Sequence, residues 1–142
     1  MGNQEAALKD IDAAVVYKPE AALVFDELWL GLYLKGRLEW ALFYYDRAAQ
    51  LRPDDPLVYQ GRGDAYRVNG ENEHALIEYN RAIELAPDRA DTYLRRGRAY
   101  QALGDQDLAA ADFGRVLELN AKPNIRRQAE THMRELHAVV AA

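Results

Sequence analysis

Serine and cysteine are absent from the chain, and threonine occurs only at Thr92 and Thr131. The nucleophiles on which most covalent hydrolases depend are therefore missing. Of the histidines, His132 and His137 share a carboxyl-terminal stretch with Glu135, at offsets of three and five residues from His132. A helical zinc pair needs an i, i+4 offset to bring both imidazoles onto one face, and this spacing does not supply it. His74 stands alone. General acid and base work needs two carboxyl groups held together, and nothing in the spacing of the 23 acids singles out a pair. No strand-like run precedes a glycine-rich phosphate loop. These residues point away from an enzyme and imply no cofactor and no metal.

Bulk properties narrow the field further. At 142 residues and 49% hydrophobic content the chain supports one domain with a packed core. A net charge of −5 argues against nucleic acid and anionic membrane surfaces as general partners. No run approaches the roughly 20 apolar residues of a membrane span, since Leu23 to Leu34 is broken by Asp26 and Glu27. The start, Met1-Gly2-Asn3-Gln4-Glu5, lacks a signal peptide's basic and apolar regions, and Ala6 stands where a myristoylation motif wants Ser or Thr. A cytoplasmic location is the expectation, consistent with the absence of cysteine.

What remains is a repeat. Pro19, Pro53 and Pro87 lie 34 residues apart; Gly36, Gly70 and Gly104 keep that interval, as do Ala7, Ala41, Ala75 and Ala109. In the second unit Tyr59, Gly63 and Tyr66 recur at helical spacing, and Gly70 supplies a left-handed stop. A second helix follows through Ala75, Leu76, Tyr79, Ala82 and Ile83 until Pro87 ends it. The third unit repeats this with Tyr93, Gly97, Tyr100, Gly104, Ala109 and Phe113. Small residues at Gly63 and Ala75, and at Gly97 and Ala109, predict close helix approach, with Tyr79 and Phe113 filling the space between units. The pattern predicts helices over 5–19, 22–35, 39–51, 56–69, 73–85, 90–103, 107–119 and 124–138, and no strand.

The unit resembles the tetratricopeptide (TPR) repeat, whose signature runs W-x2-L-G-x2-Y, then A-x3-F, then P. Tyr59-x2-Arg62-Gly63-x2-Tyr66 with Ala75-x3-Tyr79 and Pro87 carries the resemblance, as does Tyr93-x2-Arg96-Gly97-x2-Tyr100 with Ala109-x3-Phe113. In the last unit Ala121 replaces the expected proline and Pro123 follows. The first unit matches in Ala41, Tyr45, Ala48 and Pro53, but Trp29 and Leu32 replace the glycine and tyrosine of its first helix. The expected organisation is a single all-α domain: a half-repeat helix in 1–21, repeats in 22–55, 56–89 and 90–123, and a capping helix in 124–142. Starting halfway through a unit fits a segment cut from a longer protein, and equally a natural amino-terminal cap.

The resemblance implies a right-handed superhelix of antiparallel helix pairs, acting as a non-catalytic scaffold or adaptor whose first helices line a concave peptide-binding groove. Projected onto this chain, the groove shows Asp26, Leu30 and Tyr33, then Gln60, Asp64 and Arg67, then Asp91, Leu94, Arg95, Arg98 and Gln101, with Gln128 and His132 from the last helix. Arg67, Arg95 and Arg98 either form a cationic centre for a partner's carboxylate or pair with Asp64 and Asp91. A subset of the family clamps the acidic tails of heat-shock chaperones. Its clamp positions correspond here to Asp26, Leu30, Gly61, Asp91 and Arg95, where only the arginine is retained. Chaperone tails are therefore disfavoured as partners.

Two further expectations concern packing. Arg62 and Arg96 sit on the buried side of their helices, each sixteen residues before an acid, Glu78 and Asp112. The corresponding first-unit residues, Leu28 and Tyr44, are uncharged, so these are expected to be structural pairs across the helix hairpin. Trp29, standing where later units have glycine, is expected to push Leu30, Tyr33 and Leu34 outward. That gives the alternative reading, a structural or oligomerising module, or a piece of a longer array, that self-associates through its first unit. The competing outcome is that the helix at 5–19 buries this face.

Overall fold

The computed structural model describes the backbone of residues 38–141 and the side chains of residues 41–141. Six α-helices and no strand are found among the described residues. They are α1 (Leu38–Leu51), α2 (Pro56–Val68), α3 (Asn72–Leu85), α4 (Ala90–Leu103), α5 (Gln106–Glu118) and α6 (Pro123–Ala141). The expectations for helices at 5–19 and 22–35, for Trp29 and Leu34, and for the groove residues Asp26, Leu30 and Tyr33 lie outside the described residues.

Local chemistry accounts for the boundaries. The Asp55 carboxylate accepts from the Leu57 amide at 3.0 Å and Pro56 opens α2, the two devices that satisfy or remove orphan donors at a helix start. After α2 and α4 the chain turns through Gly70 and Gly104, at φ 81° and 85°. Both turns close as Schellman motifs: Glu71 and Asp105 donate their amides to the carbonyls of Tyr66 and Tyr100, at 2.9 and 3.0 Å. Pro123 does not replace the missing helix stop at Ala121. It begins α6, which runs three residues past the expected end at 138.

Each helix packs on its neighbour in sequence. In addition α2 touches α4 and α4 touches α6, whereas α1, α3 and α5 do not touch one another. The even-numbered helices thus form a closely spaced inner layer and the odd-numbered ones a spread outer layer. That difference bends the stack and makes the inner face concave.

Rings from the outer layer seat on glycines of the inner one. The Tyr79 and Phe113 side chains are fully buried, and a methyl group built on Gly63 or Gly97 would fall 2.6 Å from the Cε1 of Tyr79 or Phe113. Tyr45 of α1 instead reaches forward across the unit boundary and lies against Gly61 of α2. This refines the expectation that Tyr79 and Phe113 fill space between units: these two rings rest on the first helix of their own unit, and the glycine is the hole that admits each.

Candidate functional site

On the flank of the stack the expected arginine pairs form. Arg62 Nε donates to Glu78 at 2.8 Å; Arg96 donates twice to Asp112, at 2.9 and 2.8 Å. Each arginine also reaches sixteen residues backward, into the preceding unit: Arg62 Nη1 donates to Asp46 at 2.7 Å and Arg96 Nη1 to Asn80 at 2.9 Å. The guanidiniums lie 5.6 and 5.7 Å from the ring centres of Tyr59 and Tyr93, whose hydroxyls donate to the Pro53 and Pro87 carbonyls at 2.8 Å. Tyr44, in the apolar version of the pair, is buried. These residues are fully occupied in tying units together.

The concave face is a different environment. Its floor is a polar network that links α2 to α4 and α3. Thr92 donates to the Gln60 carbonyl oxygen at 2.7 Å while the Gln60 amide donates to Asp91 at 3.0 Å. Asp64 accepts from the Tyr79 hydroxyl at 2.6 Å and is ion-paired with Arg95, which also donates to Asp91 at 3.1 Å. Burial lifts the Asp64 carboxyl above the ordinary carboxylate range, and Arg95 and the Tyr79 hydroxyl oppose that lift. Neighbouring first helices are thereby held at fixed spacing.

The expected groove residues sort accordingly. Leu94 is only 2% exposed and belongs to the apolar cluster containing Phe113, Ala129 and Leu136, because α6 closes over that part of α4. It is core, not groove surface. Gln60 and Asp64 are also buried, with their polar atoms spent inside the network. Arg95 is an internal bridge between Asp64 and Asp91, so for this residue the pairing alternative holds. Arg67, Arg98, Gln101 and His132 come together, with Asn72 and Ala102, around a cavity of about 320 Å³. His132 stacks on Phe113, ring centres 5.1 Å apart, with its Nδ1 3.0 Å from Glu135 Oε2.

Arg67 and Arg98 have no ion-pair partner among the described residues, unlike Arg62, Arg95 and Arg96. Burial, together with the positive charges of Arg67 and Arg95, depresses the affinity of Arg98 for its own proton. The Arg67 Nε and the Asn72 Oδ1 are buried without hydrogen-bond partners. Asn72 was not foreseen as a groove residue: it opens a second helix, and the sequence projection took only first helices.

Other chemistry is sparse. Among the described residues no group of three or more His, Asp or Glu side chains is placed to hold a metal ion, and no helix is long and apolar enough to cross a membrane. His74 stacks on Tyr66 and lies 3.1 Å from Glu71 at the surface.

Residues 63–104 match the family described as TPR repeat, and residues 90–123 match the tetratricopeptide repeat. Among solved structures, the first TPR of Spaghetti (RPAP3) bound to the HSP90 peptide SRMEEVD is 27% identical. It aligns over 85% of this chain and 94% of its own, with a TM-score of 0.71. The first TPR domain of human RPAP3 is 27% identical, covering 87% of this chain and 94% of its own, at a TM-score of 0.72. The second TPR domain of human RPAP3, in complex with the HSP70 peptide SGPTIEEVD, is 26% identical over 82% of this chain and 94% of its own, at 0.67. No curated protein sequence matches the chain significantly.

Proposed function

The chain belongs to the tetratricopeptide repeat family, and we propose that it is an adaptor that holds an extended segment of a partner protein in the concave face of α2, α4 and α6. The observation that carries this reading is the pair of guanidiniums, Arg67 and Arg98, that face one cavity with no salt bridge of their own, the nearby Asp64 being ion-paired to Arg95. Among the other half-buried arginines of the inner helices, Arg62, Arg95 and Arg96 are each ion-paired. Leaving two like charges side by side without salt bridges costs stability, and sites that bind are where such a cost is kept. The fixed polar floor beneath them supports the same reading, because a preorganised surface loses little entropy on binding.

The similar domains in complex with HSP90 and HSP70 peptides show that this architecture accepts acidic peptides. This chain meets such a peptide with other residues. Of the positions that correspond to the chaperone clamp, Gly61 is covered by Tyr45, and Arg95 and Asp91 are tied to each other. A partner segment distinct from a chaperone tail fits these residues better.

The test is to capture the partner from the source cell and map amide hydrogen exchange with and without it. Slowed exchange confined to α2, α4 and α6 supports the groove. Protection confined to α1, α3 and α5 would move the binding surface to the outer layer and reject the reading.

A further inference from the structure

We infer that the cavity between Arg67, Asn72, Arg98, Gln101 and His132 is the anchor of the groove and takes a single peptide carboxylate together with a neighbouring amide N–H. This inference rests on the groove reading above and specifies what the partner must present there.

Charge, hydrogen bonding and size each restrict the occupant. On the groove floor, behind Glu135 at the mouth, three guanidiniums, Arg67, Arg95 and Arg98, face two carboxylates, Asp64 and Asp91, an excess of one positive charge there. A monoanion balances it; a dianionic phosphate overshoots. The guanidiniums offer only donors, arranged in planar forks that suit a carboxylate's two oxygens. The Asn72 Oδ1, buried at the cavity wall without a hydrogen-bond partner, wants a donor, which a peptide N–H supplies and a carboxylate alone does not. In a peptide the carboxylate and an amide N–H sit on the same residue, whether the acid is the chain terminus or an aspartate side chain. A volume of about 320 Å³ is at the small end of ligand pockets and has room for a residue or two, not for a folded surface.

Glu135 marks the mouth of the cavity. Its Oε2 lies 3.0 Å from His132 Nδ1 and accepts from the Gln101 amide at 3.4 Å, so a carboxylate of the chain itself already rests on two of the lining side chains. It is more than half exposed, at 54%, and an incoming acid reaches the two arginines beyond it.

Four acetylated tetrapeptides, all beginning Ala-Leu-Ala, test the proposal on the intact chain. One ends in Asn with a free terminus, one in amidated Asp, one in amidated Asn, and one in Asp with a free terminus. The arginine Nε–Hε resonances of Arg67 and Arg98 report binding by NMR. Those resonances should shift with the carboxylate-bearing peptides and stay still with amidated Asn, and whichever singly charged peptide binds identifies the source of the carboxylate. Inorganic phosphate should bind more weakly than that peptide. Arg67→Gln or Arg98→Gln should weaken peptide binding more than tenfold, with the circular dichroism spectrum unchanged and the melting temperature no lower, and Arg98→Lys should recover part of it. Equal shifts with amidated Asn, tighter binding of phosphate, or no shift at about 10 mM peptide, ten times a weak millimolar constant, would overturn the anchor. If a captured partner still protects the inner helices in hydrogen exchange while these peptides fail, the anchor is wrong and the groove reading stands.

Discussion

Arg96 grips Asp112 through two parallel hydrogen bonds, Nε to Oδ2 at 2.9 Å and Nη2 to Oδ1 at 2.8 Å, with the Asp112 side chain only 6% exposed. Removing one member leaves the other charged and poorly solvated. Arg96→Leu should therefore lower unfolding stability by about 3 kcal/mol. The first unit carries leucine and tyrosine at the equivalent positions, Leu28 and Tyr44. Arg96→Leu combined with Asp112→Tyr should recover most of that loss in urea denaturation; a double variant no better than the single one would mean the ion pair itself is indispensable.

The two kinds of glycine separate cleanly. A methyl group at Gly97 would meet Phe113 Cε1 at 2.6 Å and Phe113 Cδ1 at 2.9 Å, and the ring is fully buried and cannot yield. Gly97→Ala should cost about 1–3 kcal/mol through overpacking. Gly114, inside α5, has nothing within 4 Å of the added carbon. Gly114→Ala should stabilise by about 0.5–1 kcal/mol, because alanine loses less backbone entropy in a helix. Thermal melts of the two variants moving in opposite directions are the expected outcome.

Arg95 and Arg98 occupy one helix three residues apart and should behave oppositely. Arg95→Ala strips the counter-ion from Asp64, which is 8% exposed, and should cost about 2–3 kcal/mol of stability. Arg98→Gln removes a half-buried charge set beside the like charges of Arg67 and Arg95, and should leave stability unchanged or raise it by up to about 1 kcal/mol. Denaturant titration of both variants checks the distinction.

Glu135 opposes any acid entering the cavity. Glu135→Gln should raise the affinity of a carboxylate-bearing peptide by about two- to fivefold at low salt. In about 1 M salt, where the screening length is about 3 Å, the gain should disappear. A gain that persists would show that Glu135 blocks the mouth sterically rather than by its charge.

The repeat was legible because it rests on residues whose backbone demands are strict. Gly70 and Gly104 at positive φ, the rings on Gly63 and Gly97, and the pairs Arg62–Glu78 and Arg96–Asp112 all recur at the 34-residue interval. The backward bonds from Arg62 to Asp46 and from Arg96 to Asn80 escaped notice, since they cross into the preceding unit and the acid becomes an amide in the second case. Within the groove, position on a helix could be projected but depth could not. Leu94 is buried because α6 covers it, and Arg95 is consumed by Asp64 across the inter-unit contact. Both depend on how neighbouring helices seat, which spacing along one helix does not encode.

The central claim is that the partner is held by the uncompensated arginines of the concave face. It is tested most directly by titrating the captured partner against two double variants by calorimetry. Arg67→Gln with Arg98→Gln removes the inner cations; Arg81→Gln with Arg115→Gln removes two exposed cations of the outer helices. The account predicts that the inner pair weakens binding more than tenfold, about 1.4 kcal/mol or more, while the outer pair leaves it unchanged. Loss of affinity in the outer variant with full affinity in the inner one would contradict it.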